Sequence, residues 1–127
     1  MNNIKRHLAL ACAVLSLTAC STVSGPAAPA TTRDGVLTND KGMTLYTYDK
    51  DAGGKSVCNG QCAINWPPLS ARADDAARGD WTVITRDDGS KQWAYKGKPL
   101  YLWIKDTKPG DKTGDNVGNV WRLAKPQ

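Results

Sequence analysis

The chain of 127 residues contains no Glu and no Phe, and its single His is His7. All twelve acidic residues are Asp, which favours turns and caps, whereas Glu favours helix interiors. This imbalance predicts a turn-rich chain with little helix. His is the commonest general base and metal ligand. If His7 is removed with an N-terminal export signal, the mature chain has no His to act as general base or metal ligand.

Four of the twelve Asp residues form two adjacent pairs, Asp74 with Asp75 and Asp87 with Asp88. A hydrolase without His or Glu would depend on such pairs as its acid and base. Both pairs lie among residues that are typical of turns or of exposed surface. We therefore expect no catalytic residues, no enzymatic activity and no cofactor.

Long hydrophobic runs are also missing, because the longest apolar-dominated stretch covers only residues 8–17. A permanent transmembrane helix needs about 20 apolar residues, so this stretch is too short. It follows Lys5 and Arg6, and a basic segment before a short apolar one is typical of a secretory signal. We predict that residues 1–19 are an export signal that is removed from the mature protein.

The predicted signal ends in Leu17-Thr18-Ala19-Cys20. This segment resembles the bacterial lipobox, in which an aliphatic residue and two small residues precede Cys. The resemblance implies that cleavage occurs before Cys20, which carries a thioether-linked lipid and acyl chains such as palmitate. Two or more acyl chains hold a protein stably on a membrane, whereas one holds it marginally. The alternative is an ordinary signal with Cys20 as a bystander, but an Ala-x-Ala cleavage site fits poorly here.

The residue after Cys20 is Ser21. In the proteobacterial lipoproteins that this segment resembles, a residue other than Asp at this place directs transfer to the outer membrane. The resemblance therefore implies a protein of the cell envelope, anchored by its lipid to the outer membrane and facing the periplasm.

Residues 20–33 are small or Pro-bearing and contain no aromatic residue, which is typical of a flexible tether. The remaining residues 34–127 are expected to form one domain. Without Lys5 and Arg6, 15 basic residues face 12 acidic ones, so the net charge falls from +5 to +3. No cluster of Lys and Arg remains, which excludes a nucleic-acid partner.

The domain contains an internal repeat at an offset of 55 residues. Residues 41–51 and 96–106 both have the pattern Lys-Gly-x-x-Leu-Tyr-x-aromatic-x-Lys-Asp, and the same offset aligns Trp66 with Trp121. Agreement of a rare residue at the same offset indicates duplication. We place the two units at about residues 35–69 and 90–124.

Alternation of residue types predicts strands in both units. In each copy the two aromatic residues are two positions apart, so on a strand they share one face while Leu45 or Leu100 takes the other. The Lys-Gly pairs before these strands predict hairpin turns. The expected fold is all-β, a small antiparallel meander arranged as a barrel or sandwich of two pseudo-repeats, with room for one short helix between them over residues 70–79.

The two copies share the motif Tyr-x-aromatic-x-x-Asp, supplied by Tyr46, Tyr48 and Asp51 in the first copy and by Tyr101, Trp103 and Asp106 in the second. This motif, together with the segment 58–69, resembles a family of bacterial secreted repeats and predicted lipoproteins that is named for it. The resemblance covers nearly the whole domain. It implies an exported repeat protein but no assigned biochemical activity.

The Asp that ends each motif copy has two interpretations. Asp51 and Asp106 are expected to accept backbone N–H groups in the turn that leaves the strand. The alternative is a calcium site, for which Asp49 and Asp51 supply two closely spaced carboxylates. This signal is weak, because neither copy has the final Glu of an EF-hand loop.

Cleavage removes Cys12 and lipidation uses Cys20, which leaves Cys58 and Cys62. In an oxidising compartment this pair is expected to form a disulfide. The alternative is redox or copper-handling work, since Cys-x-x-x-Cys resembles the loop of thioredoxin-like copper chaperones. Those proteins also use a His and a βαβ scaffold, which this mature chain lacks.

The nine aromatic residues are five Trp and four Tyr. Tyr46, Tyr101, Trp66 and Trp121 hold equivalent places in the two units and are expected in the core. Trp81 and Trp93 have no counterparts and are candidates for a face that binds a glycan or an envelope protein. The sequence therefore indicates a cell-envelope lipoprotein with a non-catalytic binding or structural β domain; the alternative is a redox or copper-handling factor.

Overall fold

The computed structural model of the chain describes residues 12–16 and 27–127. Cys20, Ser21 and the predicted cleavage site lie outside the described residues, so the lipid site and the sorting residue stay predictions from sequence. None of the helices in the described part of the chain is long and apolar enough to span a bilayer.

Short strands dominate the described domain. In chain order they are β1 (Thr31–Arg33), β2 (Val36–Thr38), β3 (Tyr46–Tyr48), β4 (Trp81–Thr85), β5 (Lys91–Tyr95), β6 (Lys98–Pro99) and β7 (Trp121–Leu123). One short α-helix, α1 (Gln61–Asn65), and one 3-10 turn (Val117–Asn119) complete it.

All strand pairs are antiparallel. The hairpin β1–β2, the pair β3–β7 and the three-stranded meander β4–β5–β6 are separate small sheets, and the described strands do not close into a barrel. The expectation of a small antiparallel all-β fold built from two repeats is therefore confirmed.

The two units meet at Tyr46 and Tyr101, which are equivalent residues of the repeat. The Tyr46 amide donates to the Tyr101 carbonyl at 2.8 Å, and the Tyr101 amide donates to the Tyr46 carbonyl at 2.9 Å. A reciprocal pair between equivalent residues requires an approximate twofold axis between the units. This axis organises the rest of the domain.

The last strand segment of the second unit pairs with the first unit. The Leu37 amide donates to the Ala124 carbonyl at 2.8 Å, and the Ala124 amide donates to the Leu45 carbonyl at 2.9 Å. Strand β7 continues this contact, because Tyr46 lies opposite Leu123 in the β3–β7 pair.

The same bonds recur with the units exchanged. The Trp93 amide donates to the Leu69 carbonyl at 2.8 Å, and the Leu69 amide donates to the Leu100 carbonyl at 2.8 Å. Each unit therefore pairs its final segment with the hairpin of the other unit. The duplication is interlocked, and neither unit completes its own sheet.

The second interlocking contact is less regular than the first because of two prolines. Leu102 donates to the carbonyl of Pro67 at 2.7 Å, which matches the β3–β7 contact of the other half. Pro67 and Pro68 have no amide hydrogen and cannot return ladder bonds. This half of the contact is consequently a single bridge, between Pro68 and Tyr101.

The alternation expected from the sequence separates two buried clusters. The aliphatic cluster lies on the side of Leu45 and Leu100; its buried members are Ala30, Leu37, Leu45, Leu69, Trp93, Leu100 and Ala124. The aromatic cluster lies on the side of Tyr46 and Tyr101; its buried members are Tyr46, Cys58, Trp66, Tyr101 and Trp121. Both units contribute to both clusters.

The expected position of the helix is wrong. Residues 70–79 form turns and irregular chain, most of it exposed, whereas α1 lies at Gln61–Asn65 inside the first unit. The segment 70–79 carries charged residues without an apolar stripe that could pack a helix. Helix α1 is instead a single turn that includes Cys62, which is bonded to Cys58.

The folded domain also begins earlier than the composition indicates. Strand β1 covers Thr31–Arg33, which the sequence analysis assigns to the tether, and Ala30 is buried in the aliphatic cluster. The side chains of β1 are all exposed. A short strand with exposed polar side chains resembles a linker in composition.

The interlocking predicts that neither half of the domain folds alone. We expect residues 27–79 and residues 80–127 to be unfolded as separate polypeptides, because each lacks the strand that completes its sheet. Mixing them should restore native structure, measured by near-ultraviolet circular dichroism of the Trp rings. Cooperative thermal unfolding of either half by itself would contradict the interlocked arrangement.

Candidate functional site

The motif residues converge on the twofold axis, and each Tyr bonds to the Asp of the other unit. The Tyr46 hydroxyl donates to Asp106 Oδ2 at 2.6 Å, and the Tyr101 hydroxyl donates to Asp51 Oδ2 at 2.5 Å. Both Tyr side chains are fully buried. The family motif is therefore a pair of cross-unit hydrogen bonds and not two separate local features.

The second oxygen of each carboxylate holds the loop that follows its own strand. Asp51 Oδ1 accepts the Val57 amide at 2.8 Å, and Asp106 Oδ1 accepts the Thr113 amide at 3.0 Å and the Thr113 hydroxyl at 2.6 Å. This is the loop-closing role expected from the sequence. The cross-unit role was missed, although a buried Tyr hydroxyl in each copy required an acceptor.

Burial sets the electrostatics of this centre. It raises the pKa of Tyr46 and of Tyr101 well above the usual phenol range, and the bonded carboxylates Asp106 and Asp51 raise it further. Burial also raises the pKa of Asp51, although the bonds from Tyr101 and Val57 and the charge of Arg86 oppose that shift. The phenols are therefore held neutral, as donors.

A buried guanidinium, missed by the sequence analysis, extends the centre on the side of Asp51. Arg86 is 5% exposed and donates to Ser56 Oγ at 2.8 Å, Gln92 Oε1 at 2.7 Å and the Cys58 carbonyl at 2.5 Å. Ser56 Oγ lies 2.6 Å from the Tyr101 hydroxyl. A buried charge is tolerated only when its hydrogen bonds are satisfied, and this network supplies them.

On the other side of the axis, the Tyr46 hydroxyl is bonded by a backbone amide that lies close to its ring, and no buried Arg of the described residues is involved. Gly114 donates its amide to the Tyr46 hydroxyl at 3.1 Å. A Cβ atom at Gly114 would lie 2.9 Å from the rings of Tyr46 and Trp66. Glycine is required here because any larger residue would displace buried aromatic rings.

The expected disulfide between Cys58 and Cys62 is present. Cys58 is fully buried in the aromatic cluster, and its carbonyl accepts a bond from Arg86. On the chain-entropy account, closing so short a loop stabilises the fold by about 2 kcal/mol. The bond therefore fixes the loop that delivers Ser56 to Tyr101.

The aromatic cluster is a stack of four rings flanked by two edge contacts. Adjacent centroids in the stack are 3.9 Å apart for Trp103–Trp66, 3.8 Å for Trp66–Trp121 and 4.3 Å for Trp121–Tyr48. Tyr46 meets Trp66 edge-on at 5.4 Å, and Tyr101 meets Trp121 edge-on at 5.1 Å. The stack crosses the axis, so it joins the two units.

The two Trp residues suggested for a binding face behave differently. Trp93 is 3% exposed and belongs to the aliphatic cluster, so its assignment to a surface is wrong. It lies on β5, the central strand of the three-stranded sheet. Trp81, on the outer strand β4, is half-buried and packs against Tyr95 with centroids 4.8 Å apart.

The two calcium candidates have different hydrogen-bond partners. Asp49 is exposed and accepts two hydrogen bonds from the Arg122 guanidinium, whereas Asp51 accepts from the buried Tyr101 hydroxyl. In the part of the chain that the structure describes, no group of three or more His, Cys, Asp or Glu side chains is placed to hold a metal ion.

The cross-unit pairing predicts a specific pattern of energetic coupling. Tyr46→Phe should lower the free energy of unfolding by about 1–3 kcal/mol, because it leaves Asp106 short of a donor. In a double-mutant cycle with Asp106→Ala, measured by urea unfolding, the coupling should be about 1–2 kcal/mol. The matched cycle of Tyr46→Phe with Asp51→Ala, from the same motif copy, should be close to additive. Equal coupling in the two cycles would contradict cross-unit pairing.

The buried phenols predict loss of stability in alkali. A phenol whose pKa is raised by folding contributes stability that is present below its unfolded value of about 10 and is lost at higher pH. We expect the free energy of unfolding to fall above that pH and the tyrosinate absorbance of Tyr46 and Tyr101 to appear only with unfolding. Tyr46→Phe should make the loss smaller. Titration of both phenols while the domain remains folded would contradict this prediction.

Comparison with known proteins agrees with the repeat. The lipoprotein family described as a secreted repeat of unknown function matches residues 28–70 and 82–125. Each matched segment contains one motif copy, and the first begins ahead of β1. No curated protein and no solved structure matches the chain. The family resemblance is therefore confirmed, and the chain belongs to this family of secreted repeats of unknown function.

Proposed function

We propose that this protein is a lipoprotein of the cell envelope, held by a covalent lipid on Cys20. Its β domain faces the periplasm from the outer membrane and acts as a non-catalytic binding or structural module. The order of basic segment, apolar run and Leu17-Thr18-Ala19-Cys20 supports the anchor. Ser21 supports transfer to the outer membrane, and the secreted family supports export.

The observation that carries the non-catalytic role is the reciprocal Tyr–Asp pairing. A general acid or base must come within hydrogen-bond reach of its substrate. Tyr46 and Tyr101 are fully buried, and Asp106 is 7% exposed. Their polar atoms already bond to each other across the axis. The groups best suited to acid–base work therefore hold the two units together.

The disulfide fits the same role. Cys58 is buried, its carbonyl accepts a bond from Arg86, and Ser56, two residues before it, meets the Tyr101 hydroxyl. We propose that the pair is a permanent local staple and that the protein needs no metal or cofactor. A redox or copper-handling role would instead require thiols that are accessible in the exported protein.

The anchor can be tested with two cysteines of the N-terminal region. We expect Cys20→Ser to abolish the incorporation of labelled palmitate and to release the protein from the membrane fraction or leave the precursor uncleaved. Cys12→Ser is the matched control and should be lipidated normally. The mass of the wild-type protein should equal residues 20–127 plus diacylglycerol and an N-acyl chain. Normal palmitate incorporation in Cys20→Ser would refute the anchor.

Two further readouts of the same preparation test the rest of the proposal. Ser21→Asp should move the protein from the outer to the inner membrane fraction, and an unchanged distribution would argue against the sorting role. Alkylation without reductant should leave the masses of Cys58 and Cys62 unchanged. Alkylated cysteines together with copper(I) binding would favour the copper-handling role instead.

A further inference from the structure

A groove runs along β3 and is bordered by β7 and by the turn between β5 and β6. Two adjoining cavities of about 160 and 170 Å³ form it, and Thr47, Asp49 and Lys98 line both. The cations around it are Lys96, Lys98, Arg122 and Lys125. Two carboxylates also line the groove; Asp49 is paired with Arg122 and Asp51 accepts from the buried Tyr101 hydroxyl, so positive charge is in excess.

The two units share a backbone bond at the groove but differ in the side chains around it. The Asp49 amide donates to the Val120 carbonyl at 2.8 Å, and in the other unit the equivalent Ile104 amide donates to Asn65 at 3.0 Å. This backbone bond is thus common to both places, although the contact around it is less regular in the second. The ion pair of Asp49 with Arg122 is nevertheless replaced there by an isoleucine and a proline.

The same replacement extends to the neighbouring positions. At the offset of 55 residues, Thr47 corresponds to Leu102 and Lys125 to Ser70. The duplicated framework therefore has a cationic, hydroxyl-bearing groove on one side and largely apolar residues on the other. Because backbone bonds are shared here while the side chains differ, we attribute the polar residues of the groove to recognition more than to folding.

The backbone at Lys96 supports this inference. Lys96 has a φ of +46°, in the left-handed region where Asn or Gly is favoured, particularly ahead of Gly97 in a tight hairpin turn. Its Nζ donates to the Gln127 carbonyl at 2.8 Å along the groove wall. Lys41, the equivalent residue of the other unit, does not have a positive φ. The unfavourable backbone is thus confined to the lysine that lines the groove, and such backbone strain clusters at functional sites.

The mixture of groups in the groove identifies the chemistry of its ligand. Lys98 and Lys125 are exposed and can bind acidic groups. Asp49 Oδ2 accepts both bonds from Arg122, at 3.1 and 3.0 Å, which leaves Oδ1 to accept from a ligand hydroxyl. A ligand that carries both hydroxyls for Asp49 and acidic groups for the lysines therefore fits the groove better than a bare phosphate. The rings of Tyr48 and Tyr95 add apolar surface for a pyranose.

From these observations we infer that the groove binds an acidic polysaccharide, with carboxylate-bearing sugars placed along Lys96, Lys98 and Lys125. The groove is open and consists of two adjoining cavities, which suits a segment of a polymer better than a single small anion. This inference names a partner class for the proposed binding role, but it does not depend on the lipid anchor.

Binding is tested on the full chain with Cys20→Ser, so that no lipid contributes, using a galacturonate oligosaccharide as probe and calorimetry as readout. We expect affinity at low ionic strength that weakens with added salt, and no binding of neutral dextran. The double variant of Lys98→Ala with Lys125→Ala should weaken binding about tenfold. The control of Lys41→Ala with Lys105→Ala removes the same charge elsewhere and should bind like the parent chain.

Lys96→Asn separates recognition from folding. We expect this variant to unfold at a higher temperature, because Asn suits the turn, and to bind the oligosaccharide more weakly. Equal losses in the groove and control double variants would overturn the inference, as would unchanged affinity in both groove variants. Tighter binding to phosphatidylglycerol vesicles than to the oligosaccharide would replace it with a lipid headgroup. None of these results bears on the anchor, which is tested by mass.

Discussion

Two tyrosines from different copies of the repeat exchange backbone bonds at the centre of the domain, and their hydroxyls reach across to the opposite carboxylates. Tyr46 and Tyr101 thereby connect the two units through both their backbone and their side chains. The aliphatic cluster lies on one side of them and the aromatic stack on the other. A domain of this size has a modest core, so hydrogen bonds that close both units at once are a large part of what specifies its arrangement.

The two tyrosine hydroxyls obtain their remaining hydrogen-bond partners in different ways. Around Tyr101 the chain uses Ser56 and the buried charge of Arg86, and the disulfide lies next to Ser56 at Cys58, whose carbonyl accepts from Arg86. Around Tyr46 it uses the Gly114 amide, delivered by a close backbone approach. Pseudosymmetry therefore holds in the central backbone bonds and is looser in the side chains, which leaves one surface of the domain cationic.

The offset of 55 and the alternation around Leu45 and Leu100 predict the two repeats and the faces of their Leu and Tyr residues. The strand predicted at the second motif copy is present only as bridges at Tyr101, because its partner segment contains Pro67 and Pro68. Periodicity shows which residues share a face, but not which unit supplies the partner, so the exchange of final segments was not predicted. Arg86 lies beside a turn, and a charged residue in that position is expected at the surface. Trp93 was misplaced because lack of a repeat counterpart says nothing about burial. The candidate groove was not predictable either, because Thr47 and Lys98 are far apart in sequence and meet only when the units interlock.

The interlocked units also bear on how the domain arose. A single ancestral unit would have had an unpaired final segment, and it could complete its sheet only by exchanging that segment with a second molecule, as in a domain-swapped homodimer. Gene duplication made the exchange intramolecular and raised the effective concentration of the partner. Once the halves shared one chain, each was free to change alone, and Pro67 and Pro68 mark the half that gave up its regular strand.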